Sequence, residues 1–170
     1  MNKKRGFTLV ELLVVIAIIG ILSSVVLVSV QSARAKARDA RRLSDLNQIS
    51  TALELYYAQY EYYPKPGWGW RSECPAWGNL AANDVIPGLT PYFPSFPSDP
   101  AMDKVNNRCC YLYLSNGTNY ALLMHNCPET NYQSSPISID PRRDGGPNGC
   151  VVDGSSIWAW KISSPGGICW

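Results

Sequence analysis

From Phe7 to Val30 the chain is an almost unbroken apolar run, with Glu11 as its one charge and no further charge until Arg34. Read as a helix, the run is about 36 Å long at 1.5 Å per residue. That is enough to cross the roughly 30 Å hydrocarbon core of a bilayer. The pattern then turns from uniform to periodic. Gln31 through Arg42 is rich in alanine and arginine and has no proline, which continues the helix. Leu43, Leu46, Ile49, Leu53, Tyr56, Tyr57 and Tyr60 recur at steps of three and four, which predicts one buried helix face. Pro64 disfavours helical geometry in the residue before it, so we place the helix end near Tyr63. The expectation is one helix over residues 7–63, membrane-spanning over 7–30.

Pro64 to Pro100 breaks with both patterns. Most of the 13 prolines lie here, among Gly67, Gly69, Gly78, Gly88, Trp68, Trp70 and Trp77. The stretch is too aromatic for a flexible linker, and we expect an irregular but ordered connection. Beyond it, Cys110–Leu114 and Asn119–His125 flank Asn116-Gly117, the signal of a type I′ hairpin. Ser134–Asp153 is loop-like, with a short strand expected at Ile137–Ile139. Val151-Val152 and Ile157–Ile162 supply a further strand or two. The sum is an α+β fold, a small antiparallel sheet packed on the exposed half of a long helix. Its segments are a leader at 1–6, the helix at 7–63 and a globular domain at 64–170.

Glu11 needs an explanation of its own. A carboxylate at membrane depth costs roughly 2.5 kcal/mol or more unless it finds a partner. An ordinary signal peptide has a shorter apolar core, with its small cleavage residue after that core; here Gly6 precedes the run. A plain anchor fits the length and the Lys3-Lys4-Arg5 flank but not the acid. An acid that snorkels to the interface without a partner is the simplest remaining reading.

The residues themselves suggest another. Gly6-Phe7-Thr8-Leu9-Val10-Glu11-Leu12 resembles the class III leader and N-terminal helix of type IV pilins and type II secretion pseudopilins. The resemblance is close over residues 7–30 and looser along the rest of the helix. It implies a membrane peptidase that cuts between Gly6 and Phe7 and methylates the new amine of Phe7. The amine of a neighbouring chain would then neutralise Glu11 and set the axial offset between helices. The implied partners are identical or related subunits, the prepilin peptidase, an assembly platform and the membrane. The implied location is the cytoplasmic membrane before assembly and an extracellular or periplasmic filament afterwards. Pro64–Pro100 resembles the αβ-loop of pilins by its place, and a Cys150–Cys169 pair would resemble their C-terminal loop. One departure matters: many members have proline near the position of Val28, so helix melting linked to that proline is not carried over. A minor or tip subunit acting in adhesion or DNA uptake is the alternative within the same resemblance.

Charge and cysteines narrow the class. Net charge is +2, and removing Lys3, Lys4 and Arg5 from the 15 basic side chains leaves 12 against 13 acidic ones. A chain so nearly neutral is not a strongly basic nucleic-acid binder, and no specific nucleic acid is implied. The basic residues of Arg34–Arg42 leave lipid headgroups, DNA or a neighbouring subunit open as partners; we favour a solvated face partly balanced by Asp39 and Asp45. The 6 cysteines, Cys74, Cys109, Cys110, Cys127, Cys150 and Cys169, form an even set beyond the apolar run. In an exported domain that reads as disulfides. Adjacent Cys109 and Cys110 are expected to bond to different partners.

Catalytic signals are missing from the sequence. His125 is the only histidine and falls at a strand end, where a structural role is expected. No nucleophile elbow or phosphate loop is present, and no enzyme is expected. Asp99 and Asp103, and separately Asp140, Asp144 and Asp153, fall in loops. Calcium takes six to eight oxygen ligands from such loops, and the resemblance to major pseudopilins implies it near the C-terminal region. Calcium is therefore a possible cofactor, with Asp140, Asp144 and Asp153 as candidate ligands, although no EF-hand spacing occurs. Tyr56, Tyr57 and Tyr60 are expected in the helix–sheet core, with Tyr62 and Tyr63 capping its end. Trp68, Trp70, Trp158 and Trp160 are expected to be core, the last two on one sheet face.

Overall fold

Helix α1 covers Leu9–Tyr60 and is followed by three strands, β1 (Cys110–Ser115), β2 (Tyr120–His125) and β3 (Ala159–Ser163). This computed structural model describes residues 7–67, 69–125, 127, 129, 159–167 and 170. The chain divides into two units, Met1–Ala37 and Arg38–Trp170. In the first unit, every side chain described from Phe7 to Val30 is exposed. The apolar part of α1 has a mean hydropathy of 3.0 over its best window and is long and apolar enough to cross a membrane.

In the second unit α1 buries one stripe. Asp39, Arg42, Asp45, Leu46, Ile49, Ala52, Leu53 and Tyr56 are all buried, at the three- and four-residue steps of a single face. The helix stops at Tyr60 rather than Tyr63. Glu61 still donates its N–H to the Tyr57 carbonyl at 2.8 Å, but its φ of 60° is left-handed and turns the chain away. Glycine usually fills such a helix end; a side chain there costs roughly 1–2 kcal/mol.

The strands form an antiparallel meander in the order β1-β2-β3. Tyr111 pairs with Met124, Tyr113 with Leu122, and Met124 with Trp160. Strand alternation sends these side chains to one face, where they join Leu46, Ile49, Leu53 and Tyr56 in the main core. Cys110, Leu112 and Leu123 share a second buried cluster with Cys74, against which Trp70, Trp77 and Met102 pack. Both sheet faces are therefore covered, one by α1 and one by the proline-rich connection. A disulfide from Cys74 to Cys110 fixes that connection, and a second joins Cys109 to Cys127. The adjacent cysteines do take different partners. Cys150 and Cys169 lie outside the described residues, as do the strands expected at Ile137–Ile139 and Val151-Val152.

Two further expectations need correction. The hairpin is not a two-residue type I′ turn, since Ser115 pairs with Tyr120 and four residues connect them. Of Asn116 and Gly117 only Gly117 has a positive φ, 94°. The Asn116 side chain instead accepts the N–H groups of Thr118 and Asn119 at 3.0 and 2.8 Å, and the Asn116 N–H donates to the Asn119 carbonyl at 3.2 Å. The Gly117 carbonyl accepts the N–H of Tyr63 at 2.7 Å. Tyr57 and Tyr60 are 38% and 44% exposed, not core, because the buried stripe ends with Tyr56. Tyr62 is likewise exposed, while Tyr63 is buried and its hydroxyl donates to Glu54 at 3.1 Å. Trp160 is buried in the core as expected, Trp70 and Trp77 are half-buried, and Trp68 and Trp158 lie outside the described residues.

Leu53 and Leu55 provide a direct check of this packing. Leu53→Ala empties a fully buried site and is expected to destabilise by about 2–5 kcal/mol. Leu55→Ala removes a side chain 53% exposed and should shift stability by about 0.5 kcal/mol or less. Urea unfolding of the full chain in detergent, followed by tryptophan fluorescence, distinguishes the two.

Candidate functional site

Two groups of polar side chains stand out, one at the head of α1 and one at the start of its buried face. At the head, Thr8 precedes the first helical residue and Glu11 lies three positions on. The Thr8 N–H and hydroxyl both donate to Glu11 Oε2, at 2.8 and 2.7 Å, and the Glu11 N–H donates to Thr8 Oγ1 at 3.2 Å. This is a reciprocal capping box, which satisfies helix N–H groups that have no partner within the helix. The Thr-x-x-Glu spacing was present in the sequence as a helix-start signal. The acid's position in an apolar run directs attention to an ammonium partner and obscures the local one. Glu11 is thus not a partnerless snorkelling acid. Gly6 lies outside the described residues, and Phe7 is 74% exposed.

The second group centres on Arg42, whose side chain is fully buried. Its guanidinium makes a two-pronged pair with Asp99, Nε to Oδ2 at 2.5 Å and Nη2 to Oδ1 at 3.0 Å. Nη1 donates to Asp39 at 2.7 Å, to Glu129 at 2.8 Å and to the Cys127 carbonyl at 3.2 Å. Arg38 reaches Glu129 from the other side, Nε to Oε1 at 2.7 Å, and pairs with its second oxygen as well. The Glu129 N–H is held in turn by the Asp39 carboxylate at 3.1 Å. Burial alone would lower the Arg42 pKa, but the hydrogen bonds it donates to Asp99, Glu129 and Asp39 outweigh it and raise the value. The Arg38 hydrogen bond is the main cause that holds Glu129 down at about 2, assisted by Arg42 against the effect of burial.

This overturns the reading of Arg34–Arg42 as one solvated face. Arg34, Lys36 and Arg41 are exposed and Arg38 is half-buried, whereas Arg42 is in the core. The missed signal is the spacing of Asp39, Arg42 and Asp45, which continues the apolar stripe of Leu46 and Ile49 backward through charged residues. Asp45, also buried, accepts the Tyr111 hydroxyl at 2.8 Å. Burial and that acceptor both raise the Tyr111 pKa, so it stays a donor.

Neither group has the parts of a catalytic centre. Possible ligand atoms of Asp99, Cys109 and Cys127 lie within 4.8 Å of one another. The two sulfurs are joined as a disulfide and both Asp99 oxygens bind Arg42, so this donor set does not fit a metal. Asp99 is removed from the calcium candidates on the same ground. Asp103 is half-buried within its turn, where the Asn106 side chain is the main cause that lowers its pKa. Asp140, Asp144 and Asp153 lie outside the described residues. His125 closes β2, with Nδ1 at 3.2 Å from the Asn107 carbonyl and its ring edge-on to Trp77.

Comparison with known proteins places the first group within a known motif. Residues 1–27 match the prokaryotic N-terminal methylation motif. Type II secretion system core protein G of Escherichia coli (strain K12) is 38% identical over 101 residues, 58% of this chain and 68% of that protein. The chain belongs to the type II secretion core protein G, or pseudopilin, family. The core protein G of a Klebsiella michiganensis strain is 31% identical over 105 residues, 58% of this chain and 69% of its own length. Fimbrial protein EcpB of Eikenella corrodens is 48% identical over 58 residues, 34% of this chain and 36% of its own length. No solved structure matches the chain. The family is one of structural subunits rather than enzymes.

The ion cluster of this pseudopilin yields two expectations. Arg42→Ala leaves buried carboxylates unpaired and should destabilise by about 3–5 kcal/mol, read as a lower urea midpoint for the full chain in detergent. The second concerns acid. Glu129 has a folded pKa of about 2 against an ordinary 4.5, so its contribution is complete above the ordinary value and declines as pH falls toward the folded one. Thermal melts should therefore lose stability across that window, and Glu129→Gln should flatten the loss.

Proposed function

We propose that this pseudopilin is a structural subunit of a type II secretion pseudopilus or a related type IV filament. It is processed between Gly6 and Phe7, methylated at Phe7, and polymerised through α1 with identical or related subunits. The prepilin peptidase and an assembly platform are its partners before polymerisation. The observation that carries this reading is the N-terminal methylation motif at the head of a helix whose residues 7–30 are apolar and exposed. A face so apolar, with nothing to bury it in a single chain, calls for lipid or neighbouring helices as its solvent. Similarity to secretion core protein G and to a fimbrial protein supports the same role. The protein sits in the cytoplasmic membrane until it is drawn into a periplasmic or extracellular filament.

In this proposal Glu11 has successive partners. Thr8 caps it in the single chain, and the Phe7 amine of a neighbour takes it over on assembly. Glu11→Gln separates the two roles, because glutamine can close the capping box but carries no charge to pair with an amine. We expect Glu11→Gln to leave the protein in the membrane fraction and to reduce filaments on the order of tenfold or more, in line with the cost of an unpaired membrane charge. Electron microscopy of sheared filaments reads the outcome, and wild-type filament yield from this variant would remove Glu11 from assembly. Mass spectrometry of the N-terminus tests processing: N-methylated Phe7 is expected, and a mature chain that still begins at Met1 would overturn the proposal.

A further inference from the structure

The basic residues of α1 fall into two sets by what they touch. Arg38, Arg41 and Arg42 each have a carboxylate partner: Glu129 for Arg38, Asp45 at 3.9 Å for Arg41, and Asp39, Asp99 and Glu129 for Arg42. Arg34 and Lys36 are exposed and have no ion-pair partner among the described residues. No acid lies between Glu11 and Asp39 in the sequence, and Asp39 is buried against Arg42. Two uncompensated cations thus follow directly on the apolar part of the helix, within the same unit, Met1–Ala37.

Their depth matches a specific layer. Leu9 to Val30 spans about 33 Å as helix, close to the roughly 30 Å of a bilayer core. Arg34 and Lys36 lie about 6 and 9 Å beyond Val30. The headgroup layer is about 5–7 Å deep on each side, and long basic side chains reach back along the helix into it. The two residues are also about 200° apart around the helix axis. One docked neighbour covers one face and could engage only one of them. Lipid surrounds the helix and can meet both.

We propose that Arg34 and Lys36 form a phosphate-binding collar. It holds lipid headgroups, anionic ones in preference, at the outer membrane surface and fixes how deep α1 sits before assembly. The collar rests on the reading of α1 as a membrane anchor, but it is a separate property of two side chains. It gives the single subunit a counterion shell that must be left behind when the helix is withdrawn into a filament, which makes anionic lipid content a brake on extraction.

The test uses the full chain in detergent micelles, titrated with phosphatidylglycerol and read by native mass spectrometry, alongside flotation with phosphatidylcholine vesicles. Wild type should retain phosphatidylglycerol. Arg34→Gln with Lys36→Gln should bind it about thirtyfold more weakly, about fivefold for each basic side chain lost. The exchange Arg34→Lys with Lys36→Arg should restore retention, and Arg41→Gln, which removes the ion-pair partner of Asp45, should leave it unchanged. All four should float equally with phosphatidylcholine. Undiminished phosphatidylglycerol binding in the double glutamine variant, with flotation intact, overturns the collar and leaves the anchor standing. So does loss of a cross-link between two copies without loss of lipid, which would assign these cations to a subunit contact. Failure of the wild type to float overturns the anchor itself.

Discussion

A guanidinium withdrawn wholly from water has to find acceptors, and Arg42 takes them from three places in the chain. Asp39 comes from its own helix, Asp99 from the end of the proline-rich connection, and Glu129 with the Cys127 carbonyl from the segment after β2. The need to satisfy one cation therefore fixes where Asp99 and Glu129 meet α1. The Cys109–Cys127 disulfide delivers the same segment to the same place by a covalent route. A buried ion pair is weak evidence of net stabilisation, since desolvation offsets much of the Coulomb gain. What this cluster supplies is registry, because a shift of any of the three segments leaves charge buried without a partner.

The fold was legible in the sequence wherever one periodicity ruled. The apolar run and the stripe from Leu46 to Tyr56 each follow one repeat and occur where that repeat places them, while β1 and β2 lie on either side of the turn signal at Asn116-Gly117. The errors came where a local rule met a longer-range one. Asn116-Gly117 is a strong two-residue turn signal, yet the Asn116 side chain captures two N–H groups and only Gly117 of the pair takes a positive φ. Tyr57 and Tyr60 fit the helical spacing by number, but the sheet-facing stripe ends at Tyr56. Arg42 was misplaced because a charged residue at a buried helix position is legible only with its partners, and Asp99 and Glu129 lie far along the chain.

The head of α1 carries a sequence motif and a local structural unit at once. Gly6, Phe7 and Glu11 were visible as a pattern, while Thr8 passed as one more residue within it. The capping box shows that Thr8 and Glu11 form a local unit in their own right, giving a helix in lipid a satisfied start. A membrane offers no water to the free N–H groups of a helix end, so a Thr-x-x-Glu start has a use there whatever happens later. In the single chain that carboxylate is held at the helix end by the N–H and hydroxyl of Thr8.

The same economy accounts for the aromatic content, which on composition alone invites an adhesive reading. Tyr111 donates to Asp45, Tyr113 to the Pro64 carbonyl and Tyr63 to Glu54, and Tyr120 is bonded to Ser50 at 2.8 Å. Tyr111 and Tyr120 each connect the sheet to α1, with the ring in the core and the hydroxyl on a polar group at its edge. Leucine would fill the space without fixing the register between sheet and helix. Burial raises the pKa of all four, that of Tyr120 to about 12, so they remain neutral phenols at any pH the protein meets. Rings committed in this way are not available to a ligand. Among the described tyrosines, Tyr57, Tyr60 and Tyr62 at the end of the helix are the exposed ones.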